Sequence, residues 1–347
     1  MATGAGLDAQ LGWAAETTWG TPVTPTRFLE FNNETVRHDI TWLEPTGLRV
    51  GTKYKRSARV RAARHSVSGD FDLEWATRGM GPLVKAMLAS AVSAPVQYAA
   101  TTAYKQIHTP GDFRGVSGTL QIGRPEPATG TVRPFTFAGI KIPKWEFNIK
   151  DNAIPTLKCT VDGKSEATAT ALASASYLTG VPNTSVFDFS QATLSLGGTA
   201  TTASGETTVS SGVAAATIIK DFTLTGDAPM DASRFGIGNA GLKSEQLENA
   251  TPTLHGKMTA EFGFTELYSL YTAATPFPLV LTLTGAAIGV SGQNFLLSFT
   301  LPAVRLKSAP PQVSGPGLVM MSTDFEVYSD EANPVVQIKI NSDEVAL

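Results

Sequence analysis

His65-SVSGDFDLEWATRGMGPLVKAMLA-Ser90 is the run from which the architecture can be read. Val67, Gly69, Phe71, Leu73 and Trp75 alternate with Ser68, Asp70, Asp72 and Glu74. Successive side chains of a strand point to opposite faces, so the run predicts a strand with one buried and one wet face. Pro82 is pre-set for a first helical turn. Leu83 with Met87, and Val84 with Leu88, then recur at helical spacing, so a short helix is expected. The unit returns from Leu254 as LHGKMTAEFGFTELYSLYTAATP. Gly256 falls on Gly69, Glu261 falls on Glu74, and Leu267, Leu270 and Tyr271 supply the following helix.

Matches in the same order surround this pair. Phe222–Gly226 can be laid on Phe28–Asn32, and Leu301-Pro302 on Ile142-Pro143. The separation between matched positions shrinks along the chain, first slightly before the core strand and then more after the helix. Length changes confined to connections, with core strands kept, are what a diverged tandem duplication predicts.

The chain has 347 residues, enough for two ordinary domains. Only 16% of residues are charged, Gly is 32 and Pro 21, and Ser and Thr are abundant, a composition that suits an all-β protein with many turns. A net charge of −3 gives no whole-chain reason for nucleic-acid or membrane binding. Cys159 is the single cysteine, which excludes an internal disulfide framework. The start, Met1-Ala-Thr-Gly, lacks the cationic and apolar runs of a signal peptide. The most apolar window, Phe277–Val290, is broken by Thr282, Thr284 and Gly285 and is too short to span a bilayer.

Residues 1–27 read as an N-terminal arm whose Trp13 and Trp19 dock on a neighbour or on the chain's own domain. A first domain is expected over 28–165, a linker over 166–184 and a second domain over 185–347. In the first, Lys144–Ile149 and Thr156–Val161 alternate about a turn at Asp151-Asn152 and predict a hairpin. Short strands are expected at Tyr104–His108 and Gly118–Ile122, and a last one at Val335–Asn341.

Between Arg27–Asn32 and the core strand lies a long excursion, 33–64. It carries Arg49, Lys53, Lys55, Arg56, Arg59, Arg61 and Arg64 with no acid among them, and period-two placement of Tyr54, Arg56, Ala58, Val60 and Ala62 suggests an extended hairpin arm. Long connections inside compact domains are usually functional or disordered. Phosphates could be gripped by such an arm, but Tyr54 is its only aromatic in this basic run. A basic arm on an acidic body is also self-complementary, so self-association ranks ahead of nucleic acid, and a plain solvated loop behind both.

Chemical sites are scarce. Gly236, Gly238 and Gly241 form a GxGxxG, but no apolar strand precedes it and the surroundings are all-β, so a glycine loop is the reading and no cofactor is expected. His38, His65, His108 and His255 show no zinc spacing. Asp70, Asp72 and Glu74 share a strand face that solvation explains better than a cation does. No nucleophile elbow or phosphate-cradling lysine loop is present, and no enzyme is expected.

The opening GLDAQLGWAAETTWGTPVTPTRFLEF resembles the start of one group of tail tube (major tail) proteins of long-tailed bacteriophages, in which an E-x-T-x-G-T-x-V run precedes the first strand. Glu16, Thr18, Gly20, Thr21 and Val23 carry it here, and GDFDLEW with its helix and KWEFNIKDNAIPTLKCTVDGK are similar to the same group. The resemblance implies tail-tube-like β-sandwich or barrel domains, each with a flanking helix. It also implies six domains per ring, a long loop that stacks rings, and a lumen through which double-stranded DNA passes transiently. Two domains per chain would need three chains per ring. Residues 33–64 would be the stacking arm, and Asp70, Asp72, Glu74 and Glu261 are candidates for an acidic lumen wall. Partners would be further copies of the chain and other tail proteins at the tube ends, with no membrane; the protein would be made in the host cytoplasm and end in the virion. The span 227–253 holds no basic arm, which leaves open whether the second domain is a ring member or an outer decoration. The alternative is a two-domain adhesin or binding module, for which Trp42 and Trp145 are the candidate aromatic platform.

Overall fold

The computed structural model describes residues 4–178, 186–308, 311–313 and 315–347. It is built almost wholly of antiparallel strands with two short α-helices. The first half contains β1 (Gln10–Ala15), β2 (Arg27–Leu29), β3 (Asn33–Glu34), β4 (Arg37–Leu43), β5 (Arg61–Glu74) and α1 (Gly81–Leu88). It continues with β6 (Val96–Gln97), β7 (Tyr104–His108), β8 (Gly118–Pro125), β9 (Val132–Lys150), β10 (Thr156–Gly163) and β11 (Ser165–Ala167). The second half contains β12 (Ala192–Leu196), β13 (Thr199–Ala203), β14 (Glu206–Ser210), β15 (Val213–Ala214), β16 (Ile219–Asp227), β17 (Thr253–Glu261) and α2 (Ser269–Ala273). Last come β18 (Phe277–Ala287), β19 (Asn294–Ser308), β20 (Pro311–Gln312), β21 (Met320–Val327) and β22 (Gln337–Ser342).

Two long strands, β9 and β19, are shared between layers. The first part of β9 pairs with β8 and β11, while β8 also holds β1 and through it β2. Beyond Lys141, β9 changes partners to β10, which pairs with β5, and β5 in turn holds β3 and β4. The second half repeats this order. The first part of β19 pairs with β18 and β22, and β18 holds β12 and then β15. The end of β19 pairs with β21, which holds β17 and then β16. In this scheme β16 occupies the place of β3–β4, not that of Phe28–Asn32 as the sequence match suggested. Both segments open on a phenylalanine and are partly apolar, and so short an apolar pattern cannot say which strand of a half it forms.

The halves are joined by pairing of β16 with β9, from Asp221 opposite Lys150 to Asp227 opposite Lys144. A single buried cluster runs through both. At its centre Trp75, Phe147 and Phe299 meet with centroids 4.6–5.9 Å apart, drawing on β9, β19 and the end of the β5 segment. Such ring pairs contribute about 0.5–1.5 kcal/mol beyond area burial. A further tie is β7, which leaves the first half to pair with β22 of the second.

Three expectations need correction. The N-terminal segment docks on its own half, one of the two places expected for it, but as a strand and not as an arm: β1 is an inner member of the half, with Leu11 and Trp13 buried. Its two bulky apolar residues flank Gly12, too short an alternation to announce a strand. The arm is narrower than 33–64, because β3, β4 and the start of β5 are strands of a sheet, and only 44–60 projects beyond them. The linker begins with β11, a strand on β9; its end, 179–184, lies outside the described residues.

Candidate lumen face and assembly edges

One sheet runs through both halves. Its strands run β4–β5–β10–β9–β16–β17–β21–β19, eight in continuous antiparallel order, with β3 extending β4. Period two sorts the side chains. Phe71, Leu73, Cys159, Val161, Phe147, Leu224, Met258 and Phe325 point into the core. The other face is polar from edge to edge, carrying for example Ser68, Thr160, Asn148, Thr223, Lys257 and Asp324. Antiparallel sheets tolerate water on one face when the other is covered, as it is here by the outer strands.

The candidate acids all lie on this polar face. Asp70 accepts from Thr160 Oγ1 at 2.7 Å and pairs with Lys158 Nζ at 3.3 Å, and Asp72 accepts from Asn33 Nδ2 at 2.8 Å. Glu74 ends β5 exposed, and Glu261 ends β17, with β10, β9 and β16 between them. Basic groups interleave with these acids, so the face is mixed in charge. Lys144 stands opposite Asp227 and Lys150 opposite Asp221, and Lys307 pairs with Glu326 at 2.9 Å. The hydrogen bond that the Lys158 ammonium donates to Asp70 holds its pKa above the usual value, and the one that the Tyr328 hydroxyl donates to Glu326, reinforced by Lys307, holds the Glu326 carboxyl below its usual range.

Of the expected arm residues, Arg49, Lys53, Lys55, Arg56 and Arg59 lie in 44–60 at one rim of the sheet, whereas Arg61 and Arg64 lie on β5, paired with β4. Arg49, Lys53, Lys55, Arg59, Arg61 and Arg64 are exposed and Arg56 half-buried. Lys55 pairs with Glu44, and Arg64 lies 4.9 Å from the centroid of Phe235. Apolar groups accompany them: Leu48 and Val50 are almost wholly solvent-exposed and Tyr54 nearly so.

The loop between β16 and β17 is the second half's counterpart of the arm, and it is folded back onto the first half. Lys141, wholly buried, pairs with Glu245 at 2.8 Å, Lys243 pairs with Asp162, and Trp19 Nε1 donates to Gln246 Oε1. Burial pulls the Lys141 pKa down, and Glu245 opposes that shift. The GxGxxG belongs to this loop. Gly241, at φ +76°, passes so close to β5 that a Cβ would lie 1.9 Å from the Ala63 carbonyl, and its own carbonyl accepts from His65 N–H. Sequence reading missed this clamp because its ion pairs join residues far apart along the chain.

A family model of phage tail tube proteins matches residues 6–327. The chain belongs to the phage tail tube family. A comparison with curated proteins found no match. Family membership makes it a structural protein of the virion tail that associates with itself in a tube and contacts other tail proteins. Of the aromatic platform expected for an adhesin, Trp145 is 3% exposed and only Trp42 reaches solvent. Among the described residues of this tail tube protein, no three His, Cys, Asp or Glu side chains are grouped to hold a metal, and no helix is long and apolar enough to cross a membrane.

Proposed function

We propose that three chains close into a ring whose lumen is lined by the polar face of their joined eight-stranded sheets, and that rings stack into the conduit for DNA. The observation that carries this reading is one sheet, polar on one face and covered on the other, that ends in β4 and in β19 past Val304, whose outer edges no strand covers among the described residues. Open edges are an aggregation hazard in a monomer and become a specific joint when a second copy covers them. The matching strand order of the halves supports a duplicated tube domain in which both copies line the lumen. A mixed, hydrated wall presents no continuous cationic track to phosphate, which favours passage over sticking. The arm, 44–60, projects along the tube axis and joins one ring to the next; such head-to-tail contacts generate open filaments.

Negative-stain microscopy of purified, concentrated protein tests the reading. Rings or tubes of even bore are expected; dispersed monomers at high concentration would refute it.

A further inference from the structure

The two halves of the chain already display the joint that a ring would need, and the ladders say where its second copy would form. We propose that β4 of one chain pairs antiparallel with the end of β19 of another, with Asp39 opposite Ser308 and the Ile40 amide donating to the Lys307 carbonyl. The proposal rests on the tube reading and adds to it the two edges and their register.

The register follows from counterparts. With Gly256 laid on Gly69, the counterpart of Ser68 is His255. Ser68 faces Arg37 and His255 faces Thr225, so Thr225 of β16 is the counterpart of Arg37 of β4. Two residues on, Asp227 answers to Asp39, and Ala228 to Ile40. On the other side, Lys144 faces Thr160, which faces Asp70. The counterpart of Asp70 is Lys257, which faces Asp324, which faces Ser308. Ser308 is therefore the counterpart of Lys144, and the ladders correct the match of Leu301-Pro302 to Ile142-Pro143, which would have placed Ala303 there. The irregularities agree, since the β10–β9 ladder slips between Thr160 and Asp162 and the β19–β21 ladder between Leu306 and Ser308. Within the chain Lys144 faces Asp227, and the Ala228 amide donates to the Pro143 carbonyl at 2.7 Å. Carried over to the counterparts, that seam becomes Ser308 facing Asp39, and Ile40 N–H meeting the Lys307 carbonyl.

Three observations fit this occupant. First, the His65 amide turns away from β4 to Gly241, so Ile40 and His65 form a non-hydrogen-bonded pair and the Ile40 amide points to the open edge. Second, Ile40 and Trp42 are 39% and 57% exposed, while Ala228, which holds the place of Ile40 in the internal seam, is buried. Third, Asp39, which within the chain accepts from Arg37, would come beside the exposed Lys307, so that opposite charges meet at this seam as Lys144 and Asp227 do at the internal one. Among the described residues no strand covers the outer edge of β4 or of β19 past Val304.

Paired cysteines read the register. Asp39 and Ser308 would form a non-hydrogen-bonded pair, whose close Cα atoms (about 4.5 Å) lie within disulfide range. Asp39→Cys with Ser308→Cys, oxidised with copper phenanthroline in preparations that show rings, should give covalently linked oligomers on a non-reducing gel. Each single variant, and the slipped pairs Arg37→Cys or Thr41→Cys with Ser308→Cys, should crosslink at least tenfold more slowly; Cys159 is fully buried and does not compete. Ile40→Pro removes the seam donor without touching the β4–β5 ladder, and should leave a folded monomer by circular dichroism that no longer forms rings. Rings that crosslink faster through a slipped pair, or that persist in Ile40→Pro, overturn the seam alone. Wild-type protein that forms no rings overturns the tube reading and the seam with it.

Discussion

His108 sits fully buried on β7, opposite Ile338 of β22, where an excursion of the first half is sewn to the last strand of the second. Its Nε2 lies 3.1 Å from Gln106 Oε1. Burial, helped by the charge of Lys85, lowers its pKa from 6.5 to about 4, so the folded chain holds the ring neutral where the unfolded chain would protonate it. The unfolded state binds more protons between those values, so the contribution is complete above pH 6.5 and is lost as pH falls toward 4. Stability should fall by about 2 kcal/mol between pH 7 and pH 5 from this group alone. Urea unfolding at the two pH values checks it. His108→Gln should flatten the slope whatever its effect on stability at pH 7, and an unchanged slope would exonerate His108. Sequence reading saw only that this histidine lacks a zinc partner, because nothing local announces that β7 is enclosed by the other half.

Among the elements, the most legible pieces were those whose buried and wet faces alternate strictly. The β5 segment, the β9–β10 hairpin and α1 all formed as their patterns predict, since each pattern is a local consequence of one covered face. The short N-terminal strand β1 and the β16–β17 loop were illegible, because their partners are remote in sequence. The arm falls between these cases. Its period-two residues Tyr54, Arg56, Ala58 and Val60 form no strand, since 57–59 make a 3-10 turn and β5 begins only at Arg61; the hairpin below them is made by β4 and β5, and β3 and β4 are polar enough to pass for loop while serving as sheet. That distinction sets the design of its test. Replacing 44–60 with Asn-Gly, a turn suited to two-residue hairpins, keeps the inner sheet whole. The variant should fold and form rings but no long tubes. Exposed charges are screened within about 8 Å at physiological ionic strength, so wild-type tubes should also shorten in high salt. Intact long tubes from the loop replacement would show that stacking lies elsewhere.

Considered whole, the molecule is two similar strand arrangements locked by one core, so neither half is free to act as a loose outer appendage. This matters for stoichiometry. Strands lie about 4.8 Å apart, so eight span roughly 38 Å of arc, and three such sheets close a circle roughly 37 Å in diameter at the backbone. The strand tilt of closed barrels, about 35–45°, widens it further. Side chains then fill several ångströms of the rim, leaving a bore that admits a DNA duplex with water around it. Six chains with all eight strands lining the wall would double the circumference and leave a wide, poorly filled channel. Six chains with four lining strands each would require the β9–β16 ladder to break and Trp145 to lose the backbone of Gly226, against which a Cβ would already stand 2.4 Å from the indole. Three 36.5 kDa chains per ring are therefore expected. Native mass spectrometry of rings freed from tubes by the 44–60 replacement counts them directly, and top-view averages should show six similar lobes. A ring of six chains would overturn this count, and its bore would tell a doubled circumference from an internal seam that opens on assembly.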